Sequence, residues 1–483
     1  MSDQQHAAEQ SAELALRDAS ANSLEARQAV LALAEKSKGS PDTRREIGEP
    51  IYLRKFIDVV TSNMMRSTEA TAAALKCIGN ACIDNDDART TVADLDMQWA
   101  QDCLCCLPDE LRWLTVKVLY NICNDHEAAQ QGLFKDSIYS ELFRLLVSQS
   151  AINNSEDRSF LIDLLFWISG HKAKIRPNQS LPRQTLLRIV IMPYYYAKVL
   201  DLDDYAAVLE ICLAFIRDPL LQAEIIDNHY IGCVWQTRQD IDIKLCADKT
   251  RFNAEPSETQ QLLKPLLSSF LWILSDIAAN ESFAKRYNLS DPFIGGLVNI
   301  IRGEGSEFGH SPEDMFDRLI QGERIHQEAL AVRGDPEDDD LIGYGGHVEV
   351  AAACQILANL IWALPPEAGA SLIEQHELHK PLWNSFAFQE QSNDEEIQHS
   401  VAGLLIQLTR PSRAVREIMG EDENAEIALR VMWQDGKPPV KQDAVKLLRA
   451  LGKDCPGNQR RFESLAAEMM LQPAPDTPMA DGA

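Results

Sequence analysis

A helical segment recurs along the chain at intervals of about 41 residues, and this recurrence is the strongest constraint on the fold. The segments LKCIGNACIDNDDARTTV (75–92) and VKVLYNICNDHEAAQQGL (116–133) each place an Asn, Asn80 or Asn121, in an apolar helix before a polar turn. One such unit cannot bury its own apolar face, so neighbouring units must stack. A helical period of about 40–47 residues is typical of armadillo and HEAT arrays. We therefore predict an all-α fold, an armadillo/HEAT-like α-solenoid with a right-handed superhelix of about eight to ten repeats.

Weaker copies of the segment continue the series toward the carboxyl end. They lie at 160–170, 205–226, 266–287, 354–373, 399–419 and 443–462. The position of the central Asn is taken in these copies by Asp276, Asn359 and Gln407. Asp276 and Asn359 are separated by about two periods, so the stretch between them either hides a degenerate repeat or lacks one.

Breaks in the period and shifts in composition predict five regions. We expect a disordered tail over 1–22, repeats over 23–301, an acidic, glycine-containing insertion loop over 302–346, repeats over 347–470 and a second disordered tail over 471–483. Glycines and acidic residues dominate the insertion, which predicts a loop beside a short helix.

The charge balance excludes one class of partner and favours another. The chain has 46 Lys and Arg against 73 Asp and Glu, a formal net charge of −27. A protein that neutralises phosphates needs an excess of cations, so we expect no nucleic-acid partner and favour a basic protein segment instead.

The amino-terminal residues and the apolar stretches bear on location. The chain begins MSDQQHAAEQSAE, which is too polar and acidic for a signal peptide. The most apolar stretch, Leu262–Ala279, contains Lys264 and Asp276, so we predict no transmembrane helix and no direct membrane insertion. We expect a cytoplasmic monomer.

No pattern in the sequence indicates catalysis or a bound cofactor. Phosphate-loop, zinc-protease and nucleophile-elbow motifs are absent from the sequence. The eleven cysteines lack paired metal-ligand spacing, so we predict buried structural thiols, and we interpret the scattered histidines as surface or interface residues. We therefore predict a non-enzymatic binding protein without metal or cofactor. If an active site existed, the insertion 302–346 would be its host.

The recurring polar residue of each helix is the candidate binding group. An Asn on the inner helices of an armadillo array can hydrogen-bond the N–H and C=O groups of an extended partner, or it can bridge within its own repeat; the sequence leaves both open. A general nuclear-import receptor is disfavoured because Trp113, Trp167, Trp272 and Trp362 lack the register of an importin-type ladder. The candidate groove residues are Asn80, Asn121, Asp276, Asn359 and Gln407.

Two segments, GNACIDNDDAR (79–89) and YNICNDHEAAQ (120–130), resemble the signature of the small-GTPase GDP-dissociation stimulator (SmgGDS) family. The segment IQHSVAGLLIQLTRPSRAVREIM (397–419) is similar to another repeat of that family, although Gln407 stands where the family has Asn. The resemblance implies an armadillo-repeat guanine nucleotide exchange factor or chaperone for Rho- and Rap-type GTPases with basic, possibly prenylated tails. Such proteins act without catalytic side chains.

Two other interpretations remain open. ALKCIGNACIDNDDAR (74–89) and CPGNQRRF (455–462) are also similar to repeats of the ataxin-ten family, which implies a helical-repeat scaffold without exchange activity. A nuclear transport adaptor is the less favoured third interpretation.

Overall fold

The structure is a computed structural model that describes residues 12, 15–17, 19–135, 138–171, 181–247, 257–303, 346–387 and 395–471. Every regular element in these ranges is a helix. The predicted tails and the insertion 302–346 lie mostly outside the described residues, so their predicted character stays a prediction.

The chain divides into two compact units, unit 1 up to Leu221 and unit 2 from Gln222. The helices of unit 1 are α1 Leu24–Gly39, α2 Pro41–Ile47, α3 Pro50–Asn63, α4 Thr68–Ala81, α5 Asp86–Ala93, α6 Gln98–Cys106, α7 Asp109–Cys123, α8 Glu127–Lys135, α9 Tyr139–Leu146, α10 Gln149–Asn153, α11 Ser155–Ser169, α12 Arg183–Tyr196 and α13 Leu202–Ile216. Helix α14, Pro219–Asp227, spans the division.

Unit 2 continues with the same kinds of helix. They are α15 Ile231–Ala247, α16 Glu258–Ala279, α17 Glu281–Arg286, α18 Pro292–Arg302, α19 Gly346–Ala363, a 3₁₀ turn Pro366–Gly369, α20 Ala370–Glu374, α21 His379–Ala387, α22 Glu395–Leu408, α23 Arg413–Glu421, α24 Ala425–Gln434, α25 Pro438–Gly452, α26 Pro456–Arg461 and α27 Glu463–Leu471.

Equivalent helices stack on one another inside each unit. In unit 1, α1 packs on α4, α4 on α7, α7 on α11, and α11 on α13. In unit 2, α16 packs on α19, α19 on α22, and α22 on α25. We call these nine the first helices, because each of them opens a repeat. The described residues thus contain nine first helices, within the predicted eight to ten repeats, and the predicted all-α, armadillo-like α-solenoid class is confirmed.

The Asn- and Asp-rich ends of the recurring segments form the turns that end the first helices. Asp84, Asp125 and Asp454 have left-handed backbone conformations, with φ of 52°, 54° and 58°. Asp and Asn tolerate this region better than most residues other than Gly. The Asn85 side chain then accepts a hydrogen bond from the Ala88 amide and caps α5. The turn chemistry therefore fixes where α4, α7 and α25 end.

Among the described residues, no first helix lies between α16 and α19. Asn359 Nδ2 on α19 donates to the Ser275 backbone oxygen on α16 at 3.1 Å. The two helices pack directly, as neighbouring first helices do elsewhere. No described repeat therefore separates α16 from α19, and the rest of the spacing, residues 304–345, lies outside the described residues.

Helix α16 is also the most membrane-like segment of the described chain. The helix has 22 residues, and its most apolar 18-residue stretch has a mean hydropathy of 1.4, so it is long and apolar enough to span a membrane. Half of that stretch is buried against the rest of the protein. Lys264 and Asp276 are exposed, and α15 and α19 cover the apolar side, so the composition is that of a packed core helix.

Two expectations about individual residues need correction. Most described cysteines are buried, as predicted, but Cys105 and Cys106 are exposed at the end of α6. His171 and His379 are buried rather than on the surface. His171 Nε2 lies 2.8 Å from Gln130 Oε1, and burial lowers the pKa of His379 despite the nearby Asp422. A buried imidazole with a polar partner has no distinctive sequence signal.

Candidate functional site

The recurring Asn residues of unit 1 bridge consecutive first helices. Asn80 Nδ2 on α4 donates to Ser37 Oγ on α1 at 2.9 Å. Asn121 Nδ2 on α7 donates to the Gly79 backbone oxygen on α4 at 3.3 Å. Each bond reaches back to the preceding repeat, whereas the sequence suggested a bridge within one repeat or a contact to a partner.

The corresponding positions of unit 2 lie on three neighbouring first helices. Asn359 makes the bond to Ser275 described above, and Gln407 Oε1 accepts from Arg410 Nη1 at 3.3 Å. The same Arg410 nitrogen donates to the Ile361 backbone oxygen at 3.0 Å and so ties α22 to the end of α19. Here too the polar residues join repeats.

Asp276 differs from the other four candidates because its side chain is exposed on α16. Asn80, Asn121 and Asn359 are half-buried, and the Nδ2 atom of each donates a hydrogen bond to the neighbouring first helix. Binding of a partner at these five positions stays a prediction.

Residues of the short helices cap the preceding first helix. Arg89 Nε donates to the Cys82 backbone oxygen at 2.9 Å and to the Asn121 backbone oxygen of the next repeat at 3.1 Å. Gln130 Nε2 donates to the Cys123 backbone oxygen at 2.8 Å. Both acceptors lie seven residues earlier, at carbonyls that the helix end leaves unpaired. The motif ending in DDAR thus holds the repeat together.

The same cap occurs in unit 2. Arg416 Nη1 donates to the Thr409 backbone oxygen at 3.2 Å, and its Nε donates to the Lys453 backbone oxygen of the next repeat at 3.1 Å. Asn458 is buried and donates to the Arg416 and Leu451 backbone oxygens. The residues on which the family resemblance rests therefore cap helices and join repeats in this chain.

A different set of side chains forms a continuous surface on α7, α11 and α13. We call it the acidic–aromatic face; its residues are Tyr120, Phe160, Asp163, Trp167 and Asp204. The Tyr120 ring lies 4.9 Å from both the Phe160 and Trp167 rings, measured between centroids. Ser159 Oγ donates to Asp204 Oδ2 at 3.0 Å and joins α11 to α13. All five residues of the face are partly exposed.

Negative charge at this face is incompletely compensated. Burial and then the charge of Asp204 raise the pKa of Asp163. Burial also raises the pKa of Asp204, against the hydrogen bond from Ser159. The Lys117 ammonium lies 6.0 Å from the centre of the Phe160 ring and pairs with Asp157 at 2.5 Å. Among the described residues, Asp163 has no cation of its own.

This arrangement suits a cation carried by another molecule. Aromatic rings attract ammonium and guanidinium groups, and carboxylates add direct Coulomb attraction. No group of three or more His, Cys, Asp or Glu side chains suited to a metal ion occurs among the described residues. The sequence did not predict this face: Trp167 was considered only for an importin-type register, and aromatic residues at helical spacing resemble core residues.

No protein-family model and no curated protein matches the sequence. Among solved structures, an engineered protein aligns with TM-score 0.38 and 14% identity, over 92% of this chain and 98% of that chain. A structure from work on a phosphorylation switch between cadherin and beta-catenin gives 0.36 and 14%, over 93% and 98%. The karyopherin Kap121p gives 0.39 and 12%, over 97% of this chain and 48% of its own. At these TM-scores the fold assignment rests on the chain's own helix packing.

Proposed function

We propose that this protein is a non-catalytic helical-repeat protein whose acidic–aromatic face binds a Lys- or Arg-rich segment of a partner protein. The observation that carries the proposal is the partly buried pair Asp163 and Asp204, which lies beside three aromatic rings. Burial and then the charge of Asp204 disfavour the ionised form of Asp163, and a partner's cation would favour that form.

The physical chemistry of the face predicts how such a segment binds. A cationic side chain over Tyr120 or Trp167 gains cation–π attraction of about 0.5–1 kcal/mol at an exposed site. Carboxylate pairs add an attraction that salt screens, because the Debye length falls from about 30 Å at 0.01 M to about 3 Å at 1 M ionic strength. Affinity should therefore fall as salt is added.

The finer proposal is that the basic segment is the tail of a Rho- or Rap-type small GTPase and that binding promotes nucleotide exchange. The resemblance of 79–89, 120–130 and 397–419 supports it, together with the acidic face. No catalytic side chain is needed, because a protein that binds the nucleotide-free GTPase more tightly than the GDP form shifts the population toward release. A differential of about 2.7 kcal/mol corresponds to roughly a hundredfold shift.

A scaffold without exchange activity, of the ataxin-ten kind, is the second candidate. One observation favours it: Asn80, Arg89 and Asn121 serve the packing of repeats, so likeness in these residues follows from a shared repeat architecture. A scaffold would still use the acidic–aromatic face for a basic segment.

Release of a fluorescent GDP analogue from Rho, Rac, Rap and Ras type proteins, each with and without its basic tail, separates the two candidates. Tail-dependent acceleration, lost in Asp163→Asn/Asp204→Asn, is the result that exchange activity requires. Tail-dependent binding without acceleration would leave the scaffold function. Absence of binding across the panel would overturn the GTPase proposal.

A further inference from the structure

Two tryptophans of unit 2 are exposed although most tryptophans of the described chain are buried. Trp362 is 68% exposed on α19, and Trp272 is 59% exposed on α16. By contrast, Trp99, Trp235 and Trp383 are at most 1% exposed. Exposing two large apolar side chains on adjacent helices is costly in water, and such side chains are frequent anchors of protein interfaces.

The bond between Asn359 and Ser275 fixes the relative positions of the two tryptophans. Trp272 lies three residues before Ser275, and Trp362 lies three residues after Asn359. Because the rise of a helix is about 1.5 Å per residue, the two indoles are offset by about 9 Å along the helix axes. They therefore form a slanted pair on neighbouring helices.

Beyond Trp362 the surface becomes basic. Arg410, two residues beyond the end of α22, donates to the Trp362 backbone oxygen at 3.1 Å, which places its guanidinium beside that residue. Arg449 and Lys453, at the end of α25, are exposed and have no acidic partner in the described part of the chain. Asp276 is exposed at the opposite end, one turn from Trp272. We call the strip of Trp272, Trp362, Arg410, Arg449 and Lys453 the tryptophan face.

We propose that the tryptophan face binds an extended segment of a partner protein that carries apolar side chains at one end and carboxylates at the other. The apolar part contacts Trp272 and Trp362, and the carboxylates lie over Arg449 and Lys453. Charge complementarity selects this occupant, since a basic segment would meet unpaired cations on α25.

The geometry also sets the length of the segment. Packed helices are about 8–10 Å apart, and an extended chain advances about 3.3 Å per residue. Two helix steps from α19 to α25 therefore take about six residues. The partner segment has its carboxylates about six residues from its apolar anchor. This proposal is independent of the acidic–aromatic face in unit 1.

Fluorescence anisotropy with the full-length chain tests the proposal. The probes are fluorescein-labelled peptides of about twelve residues with a Phe-Leu pair and a run of four Glu separated by about six residues, in both orders. Two reference peptides carry Lys in place of Glu, or Ser in place of Phe and Leu. We expect saturable binding of one Glu peptide and at least tenfold weaker binding of both reference peptides.

Variants assign the binding to the face. Trp362→Ala and Arg449→Glu should each weaken binding by about tenfold, whereas Ile427→Ala, which removes a comparably exposed apolar side chain on α24, should not. Circular dichroism and thermal melting check that the variants fold. Equal affinity for wild type and Trp362→Ala, or no saturable binding of either Glu peptide, would overturn the proposal.

Two other occupants would be recognised by separate measurements. Sedimentation that shows a concentration-dependent dimer, abolished by Trp362→Ala, would assign the face to a second copy of the chain and overturn the partner proposal. Deletion of residues 304–345 that increases acrylamide quenching of tryptophan emission would assign it to that segment of the same chain, with the same consequence.

Discussion

The first helices of the two units carry the same framework and opposite surface chemistry. In unit 1 the acidic–aromatic face of α7, α11 and α13 combines aromatic rings with carboxylates, whereas in unit 2 the tryptophan face combines two exposed tryptophans with cationic side chains. The bridging and capping bonds recur in both units. The recurring residues therefore build the repeat, and the residues that break the recurrence determine what each surface can bind.

The framework itself should be more sensitive to mutation in unit 1. Arg89 is buried and bonds two backbone oxygens, so Arg89→Ala should lower the free energy of unfolding by about 2–4 kcal/mol. Arg416 makes the same kind of bonds but is only half-buried, so Arg416→Ala should cost about 1–2 kcal/mol. Urea unfolding of both variants checks the order. A larger effect for Arg416→Ala would contradict this comparison.

Close contact between repeats predicts a second, smaller effect. A Cβ at Gly420 would lie 2.4 Å from Asn458 Oδ1, so Gly420→Ala must displace the buried Asn458 and should cost about 1–3 kcal/mol. Gly403, on α22, has open space around it, and Gly403→Ala should stabilise by about 0.5–1 kcal/mol through helix propensity. Thermal melting distinguishes the two signs. A loss of stability in Gly403→Ala would show that α22 is packed more closely than described.

The smallest effect separates stability from binding on the acidic–aromatic face. The pKa of Asp163 is raised above 3.8, so its contribution to stability is present at low pH and lost as the pH rises through that raised pKa. Asp163→Asn should therefore match wild type near pH 3 and melt about 1–2 °C higher at pH 7, because the group is partly exposed. The exposed Asp276→Asn is the matched control and should not change the melting temperature. A destabilised Asp163→Asn at pH 7 would indicate a structural rather than a binding role.

Sequence reasoning recovered the framework better than the surfaces. The period around Asn80 and Asn121 predicted the stacked helices, because burial imposes the same pattern on every repeat. The period could not decide whether the spacing between Asp276 and Asn359 hid a repeat, since a long connection and a degenerate repeat have the same length. The packing of α16 on α19 shows that no first helix stands between them in the described part of the chain.

The aromatic residues were missed for a physical reason. Tyr120 and Trp272 lie in apolar helical runs, and whether such an aromatic side chain is exposed depends on what the neighbouring repeat contributes. The carboxylates Asp163 and Asp204 are also far apart in sequence, and the packing of α11 on α13 brings their charges together. Proximity of this kind has no local signature.

The decisive measurement of whether a basic segment binds at the acidic–aromatic face is a peptide affinity. A fluorescein-labelled Lys- and Arg-rich peptide is titrated with wild type and with Asp163→Asn/Asp204→Asn at low salt and pH 7. Loss of the two carboxylates should weaken binding by about tenfold, since each contributes on the order of 0.5–1 kcal/mol at a partly exposed site. Arg449→Glu in unit 2 serves as the control and should leave the affinity unchanged. Equal affinity of the double variant and wild type would show that the basic segment does not bind at the acidic–aromatic face.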